Sequence, residues 1–246
     1  MTPGGDNAMA ISWIMPYGQL GWLRALNAGT ARRAFDTPDS YVVGNSPFPS
    51  AAAPWACKVL PVFYSFEPYA NAGAVQTGAK FPQVAYDPEN WPATHPKVKR
   101  HPESALWHFA VLAAARGQQV IAAPSRDLIY APGADRPWQA PESINQGYLR
   151  CQVPAAAEDA AALVCQNQGA EKDLEAYAQM LIGAAKQAPE GQLLYGGLTT
   201  NFATAAQMQA AYDAAMGCGV PVTGFWVTIA SQAQAQVAAD FFKAVL

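Results

Sequence analysis

Charge is scarce in this 246-residue chain: 15 Lys and Arg stand against 18 Asp and Glu, 13% of residues are charged, and the net charge is −3. Without a basic surface there is nothing to hold a phosphate backbone, so nucleic acid is not expected as a partner. No apolar run reaches the roughly 18 residues of a membrane span, and Met1 to Ala10 lacks the basic start and apolar stretch of a signal peptide. Cysteine is limited to Cys57, Cys151, Cys165 and Cys218, with no C-x-x-C spacing, so zinc-ribbon and dithiol redox chemistry have no support. The three histidines are equally unhelpful to a metal. His95 and His101 adjoin prolines in a basic loop and His108 lies off the apolar stripe of its helix, so no metal site is expected. G-x-S-x-G, Walker and G-x-G-x-x-G motifs are missing too, which leaves serine hydrolases and nucleotide enzymes without a signature. No cofactor is expected.

Alanine, glutamine and 20 prolines are plentiful. With so little lysine, this composition fits an exported domain after loss of a leader, with a cytoplasmic protein as the alternative. Cys151 and Cys165 suit one disulfide in an oxidising compartment; buried free thiols are the competing reading.

What organises the chain is a series of short apolar runs that end in polar or aromatic groups. Lys58 to Phe66 runs into Glu67, and Phe81 to Tyr86 into Asp87 and Glu89. Ala161 to Cys165 runs into Gln166, Asn167 and Gln168, Gln192 to Leu198 into Thr199, Thr200 and Asn201, and Pro221 to Trp226 into Thr228. Helical stripes separate the later runs. Pro102 to Arg116 has Pro in its first turn, Glu103 at the positive end of its dipole and Leu106, Phe109 and Leu112 on one side. Glu171 to Ala188 and Ala203 to Met216 repeat the pattern, and Ser231 is placed to cap a last helix carrying Val237, Phe241 and Val245. Earlier, Ile11 to Met15 and Tyr41 to Gly44 read as strands around a helix over Gly21 to Phe35.

Strands in near-continuous apolar runs, alternating with helices, argue a parallel sheet covered on both faces. The expectation is an α/β fold: one (β/α)8-like, TIM-type barrel domain over residues 1–246, with a frayed start over 1–9 and an irregular side over about residues 40–90. In such a barrel the carboxyl ends of all strands meet at one rim, so the residues closing each run converge.

The sharpest local motif is Tyr86-Asp87-Pro88-Glu89-Asn90-Trp91. In extended chain, residues two apart point the same way about 6.6 Å apart, so Asp87 and Glu89 can face one pocket, and Glu67 joins them if its strand is adjacent. Crowded carboxylates push each other's pKa values apart, leaving one as an acid and another ionised, the division of labour used in glycoside hydrolysis. Asp87 hydrogen-bonding the turn at Pro88, with Glu89 solvated, is the plainer alternative. Around these candidate catalytic groups, Gln166, Gln168, Thr199 and Asn201 offer neutral donors and acceptors for sugar hydroxyls. Tyr86, Trp91 and Trp226 offer faces for stacking, although large aromatics are also ordinary core material. Arg126, beside Asp127, reads either as a substrate contact or as half of a structural ion pair.

The strand-end segments Val84-Ala85-Tyr86-Asp87-Pro88-Glu89-Asn90-Trp91, Ile121-Ala122-Ala123-Pro124, Cys165-Gln166-Asn167-Gln168, Gly196-Gly197-Leu198-Thr199-Thr200-Asn201 and Gly224-Phe225-Trp226 give the chain a family likeness. It resembles actinobacterial, usually exported, glycosidase-like barrel proteins of undefined activity. Asp87-Pro88-Glu89 is also similar to the D-x-E end of the chitinase-type glycosidase motif, in which the Glu is the acid and the substrate's acetamido group the nucleophile. The two acids that motif carries upstream are replaced by Pro82 and Ala85.

Three functions follow as expectations. The first is a monomeric glycosidase-type hydrolase taking a neutral, carbohydrate-like ligand. The second is a non-catalytic binding protein of the same fold. The third is a lyase or cyclase using the same carboxylates for proton transfer.

Overall fold

The computed structural model describes residues 11–44, 55–72, 80–134, 137–167, 169–201 and 203–246. Eight parallel strands close on themselves in sequence order. They are β1 (Ser12–Pro16), β2 (Tyr41–Gly44), β3 (Lys58–Phe63), β4 (Gln83–Tyr86), β5 (Gln119–Ala122), β6 (Ala162–Cys165), β7 (Leu193–Thr199) and β8 (Val222–Thr228). Helices α1 (Tyr17–Leu26) and α2 (Ala28–Phe35) follow β1, and the short α3 (Phe66–Asn71) follows β3. After β4 come α4 (Pro96–Arg100) and α5 (Pro102–Ala115), and after β5 comes α6 (Ile144–Arg150). The last three, α7 (Leu174–Gln187), α8 (Ala205–Met216) and α9 (Ala235–Val245), follow β6, β7 and β8 in turn. The fold is therefore the (β/α)8 barrel that the alternating runs imply.

Residue alternation sorts the strands' side chains into two layers. Ile14, Val43, Leu60, Val62, Ala85, Ile121, Ala123, Val164 and Tyr195 fill the barrel. Their neighbours of opposite parity, among them Trp13, Met15, Val84, Tyr86, Val120, Leu163 and Phe225, pack outward against the helices. Trp13 anchors that outer layer, with its ring 5.0 Å from Phe242 and 5.7 Å from Phe225. Where β8 crosses β1, any Cβ at Gly224 would run into the carbonyl oxygen of Ser12, so glycine there permits the barrel to close.

Local chemistry fixes the helix starts. Asp173 accepts from Ala176 N at 2.9 Å to cap α7, while Ser143 with Gln146 and Thr204 with Gln207 form capping boxes on α6 and α8. The single helix expected over Gly21 to Phe35 is instead two. Asn27 leaves helical geometry and its side chain accepts from Thr30 N at 3.0 Å, ending α1 and capping α2. Ser231 precedes a 3-10 turn over Gln232–Gln234 and makes no side-chain capping bond, so α9 begins at Ala235.

Cys57, Cys151, Cys165 and Cys218 are all free thiols, which decides between the two cysteine readings. Cys165 sits fully buried on the outer face of β6, and burial pushes its thiol up to about 12. Among the described residues no helix is long and apolar enough to cross a membrane, and no group of three or more His, Cys, Asp or Glu is placed to hold a metal ion.

Candidate functional site

A cavity of about 610 Å³ opens at the carboxyl-terminal end of the barrel. Every strand but β5, or the segment just past its end, contributes to the lining, through Pro16, Val43 with Gly44, Val62 with Tyr64, Asp87 with Glu89, Gln166 with Asn167, Gly197 with Leu198, and Trp226 with Thr228. Tyr17, Gly18 and Gln19 at the start of α1, and Trp91 beyond β4, complete the described wall. Asp87 and Glu89 are the charged groups among these described residues, and none of them is Lys, Arg or His.

Parity explains how they come together. Asp87 continues the inward series of Ala85, and Gln166 that of Val164. The backbone N–H of Asp87 donates to Phe63 O at 2.8 Å, carrying the β3–β4 ladder one residue past the strand. Its carboxylate is 6% exposed and accepts from Gln166 Nε2, whose amide also donates to Ala123 O at 2.6 Å. The side chain of Gln166 therefore ties the ends of β4, β5 and β6 into one corner. Asp87 Oδ1 is engaged there, while the carbonyl of Pro88 accepts from Ser125 N at 3.0 Å.

Beyond Pro88 the chain is held from two sides. The N–H of Glu89 donates to Thr94 Oγ1 at 3.1 Å, and that of Asn90 to Asp127 Oδ1 at 2.9 Å. Glu89 is half-buried at the cavity, and its carboxyl is pushed up to about 7, first by burial and then by the Asp127 charge. Burial also holds the Asp87 carboxyl well above the usual carboxylate range; the Glu89 charge adds to this, the Gln166 bond opposes it, and Asp127 adds again. Two carboxyls that cannot ionise independently titrate as a pair, and this pair retains a proton near neutral pH.

Trp91 closes one side, 37% exposed and edge-on to Tyr64 at 4.8 Å between ring centroids. Trp226 projects from β8 into the interior layer. Gln19 Oε1 accepts from Ile229 N at 2.7 Å, joining the first turn of α1 to the loop that follows β8. Gly197 admits the end of β6: a Cβ there would lie 3.0 Å from Asn167 N and 3.1 Å from Cys165 O.

Of the residues singled out in the sequence, Asp87, Glu89, Trp91, Gln166 and Trp226 line this cavity. Others lie elsewhere. Glu67 does not join the carboxylates, because the chain turns into α3 at Phe66 and carries Glu67 outside the barrel, exposed in the helix's first turn. Tyr86 has outward parity and stacks on Phe109, centroids 4.1 Å apart, with no exposure at all. Arg126 opens a 3-10 turn and donates to Asn145 Oδ1 at 2.5 Å, fastening α6 rather than facing the cavity. Thr199 Oγ1 is buried and accepts from Asn201 N at 3.2 Å, a local turn that leaves Asn201 exposed and both off the described wall. Gln168 lies outside the described residues. Tyr17, Gln19 and Tyr64 were not singled out in the sequence. Tyr64 was detectable as the next inward position after Val62, whereas Tyr17 and Gln19 gave no signal because they belong to a helix start.

No protein-family model and no curated protein matches the chain. Solved structures do match, and they define its class as a (β/α)8 barrel. A curdlan-specific exo-β-1,3-glucanase of family GH128 (subgroup III) from Blastomyces gilchristii, solved in complex with glucose, aligns with a TM-score of 0.56 at 12% identity, over 94% of this chain and 96% of that one. The carboxyl transferase domain of Rhizobium etli pyruvate carboxylase aligns with a TM-score of 0.51 at 10% identity, over 97% of this chain but only 48% of that one. At such identities the likeness is one of fold.

Proposed function

We propose that the barrel mouth hydrolyses a glycosidic bond of a neutral carbohydrate, with Glu89 as the proton donor. One observation carries this reading: a carboxyl raised to about 7 opens onto a cavity whose other described groups, Asp87 apart, are aromatic, amide, hydroxyl or apolar. A general acid works best with a pKa near the working pH, and the proton held by the Asp87–Glu89 pair is the one a departing glycosidic oxygen must receive. Trp226, Trp91 and Tyr64 provide faces for sugar rings, and Gln166, Asn167, Gln19 and Thr228 provide neutral partners for hydroxyls. The shape shared with a glucanase solved with glucose supports the same ligand class.

Asp87 supports the acid rather than attacking the sugar, since it is buried and bonded to Gln166. The attack then falls to a group the substrate brings, as the D-x-E resemblance implies, or to water, which gives up its proton to solvent as the new C–O bond forms. One feature favours a second reading, a non-catalytic carbohydrate-binding barrel: the wall formed by Gly197, Leu198, Trp226 and Thr228 holds no carboxylate to serve as nucleophile or base.

A panel of β-1,3-gluco-oligosaccharides and N-acetylated chito-oligosaccharides separates the two, with binding followed by calorimetry and product by NMR. Release of new reducing ends by the native protein and not by Glu89→Gln is the expected result. Binding without release by the native protein would establish the second reading, and neither binding nor release would overturn both.

A further inference from the structure

A second concavity, of about 720 Å³, lies outside the barrel between α5 and the segment around residues 152–159. One wall is a row of aromatic rings. Trp107 meets His108 edge-on at 4.7 Å between centroids, and His108 meets Phe66 at 6.4 Å. His108, the middle ring, is held in place, because its Nδ1 is hydrogen-bonded to Ser104 O at 2.6 Å one helical turn back. Trp107 is 51% exposed, the highest value among the large apolar side chains of the described residues. The exposed carboxylates of Glu158 and Asp159 line the same concavity, together with Ala155 and Ala156. Helices of a (β/α)8 barrel run back from the mouth, so the start of α5 puts this groove on the flank just below the rim on the β4 side.

A flat exposed indole beside carboxylates that accept paired hydroxyl hydrogens is suited to a sugar ring, which has an apolar face and an equatorial belt of O–H donors. The groove does not suit an anionic chain, because Glu103, Glu158 and Asp159 outnumber its lysine, Lys97. That lysine also weakens the case for a basic peptide.

We propose that the Trp107 groove is a second carbohydrate-binding site, which holds a neutral polysaccharide on the flank of the barrel while another stretch of chain occupies the mouth. The ligand class rests on the reading of the mouth as a carbohydrate site, but the groove does not need the mouth to be catalytic. Two attachment points on one polymer raise its effective concentration at each.

Co-sedimentation of the full chain with insoluble β-1,3-glucan, cellulose and chitin tests this, beside turnover and affinity measurements on a short soluble oligosaccharide. Trp107→Ala is expected to lower the fraction bound to at least one polymer by about fivefold or more, with Trp107→Phe recovering part of it. It should leave the mouth's affinity for the short oligosaccharide unchanged. Sedimentation reads binding and not turnover, so a mouth that proves non-catalytic leaves the groove's result standing. The proposal is overturned if Trp107→Ala sediments like the native protein or if no polymer is bound. Binding that oligolysine displaces and salt abolishes would also overturn it, in favour of a basic peptide.

Discussion

Asp127 Oδ1 accepts the backbone N–H of Asn90 at 2.9 Å, and so one carboxylate both positions the segment that carries Glu89 and raises the pKa of that residue. Asp127→Asn separates the two effects, since the amide oxygen can still accept the bond while the charge is gone. The carboxyl of Glu89 should then titrate lower. A rate that needs Glu89 protonated falls as pH rises through that pKa, so the alkaline limb of the kcat/KM profile, at about 7 in the native protein, should move to lower pH. The maximal rate should change by less than about tenfold, well below the roughly 100-fold or greater loss expected on removing a general acid. An unmoved limb would remove Asp127 from the site.

Glu89 carries a stability signature independent of any substrate. Its folded pKa of about 7 exceeds the ordinary value of 4.5, so between these values the folded protein binds the proton more tightly than the unfolded chain does. Stability from this group is therefore fully present below about 4.5 and is lost as pH rises to about 7. Glu89→Gln has no such loss. Relative to native protein it should gain stability across that window, by on the order of 2 kcal/mol once the partial exposure of Glu89 is discounted. Urea titrations of both proteins at pH 4.5, 6 and 8 would check this; a difference independent of pH would contradict the raised pKa.

The barrel and its inward acids were legible in the sequence because each depends on a period of two. Once Ala85 faces in, Asp87 and Glu89 follow, and once Val164 does, so does Gln166. Glu67 and Tyr86 mark the limits of that reasoning. The turn into α3 at Phe66 interrupts the period before Glu67, and the outward stacking of Tyr86 on Phe109 could be seen only by applying the same parity that placed its neighbour inside. Thr199 and Asn201 were obscured by another effect: a hydroxyl at a strand end can satisfy a nearby backbone N–H instead of a ligand, and composition does not distinguish the two.

Gln166 should prove as important to folding as to chemistry. Gln166→Leu keeps the volume roughly while removing the donor shared by Asp87 and the carbonyl of Ala123. An orphaned buried acceptor costs about 1–3 kcal/mol, so a loss in that range is expected in denaturant titrations. The bond also holds the Asp87 pKa down against burial, and without it the carboxyl rises further. The loss should therefore be smaller in acid, where Asp87 is protonated in both states, and larger in alkali, where ionising the buried group costs most. A loss that shrinks as pH rises would show that the Gln166–Asp87 bond is not the cause.

Gly197 offers a test of how tightly the corner is built. A Cβ at this position would meet three backbone atoms at the end of the neighbouring β6 and just past it, Asn167 N at 3.0 Å, Cys165 O at 3.1 Å and Gln166 Cα at 3.1 Å. Backbone cannot rotate aside as a side chain does, so Gly197→Ala must move the end of β6 by a few tenths of an ångström. Overpacking of this kind costs about 1–3 kcal/mol. The displaced residue is Gln166, and with it the donor on Asp87, so turnover should fall more steeply than affinity for a ligand held mainly by Trp226 and Trp91. A kcat loss of about tenfold or more with KM changed less than about threefold is the expected split, since misplacement of this size acts on the reacting geometry before it acts on binding. If KM rose while kcat held, Gly197 would instead be making room for the ligand itself, and the corner would tolerate the shift.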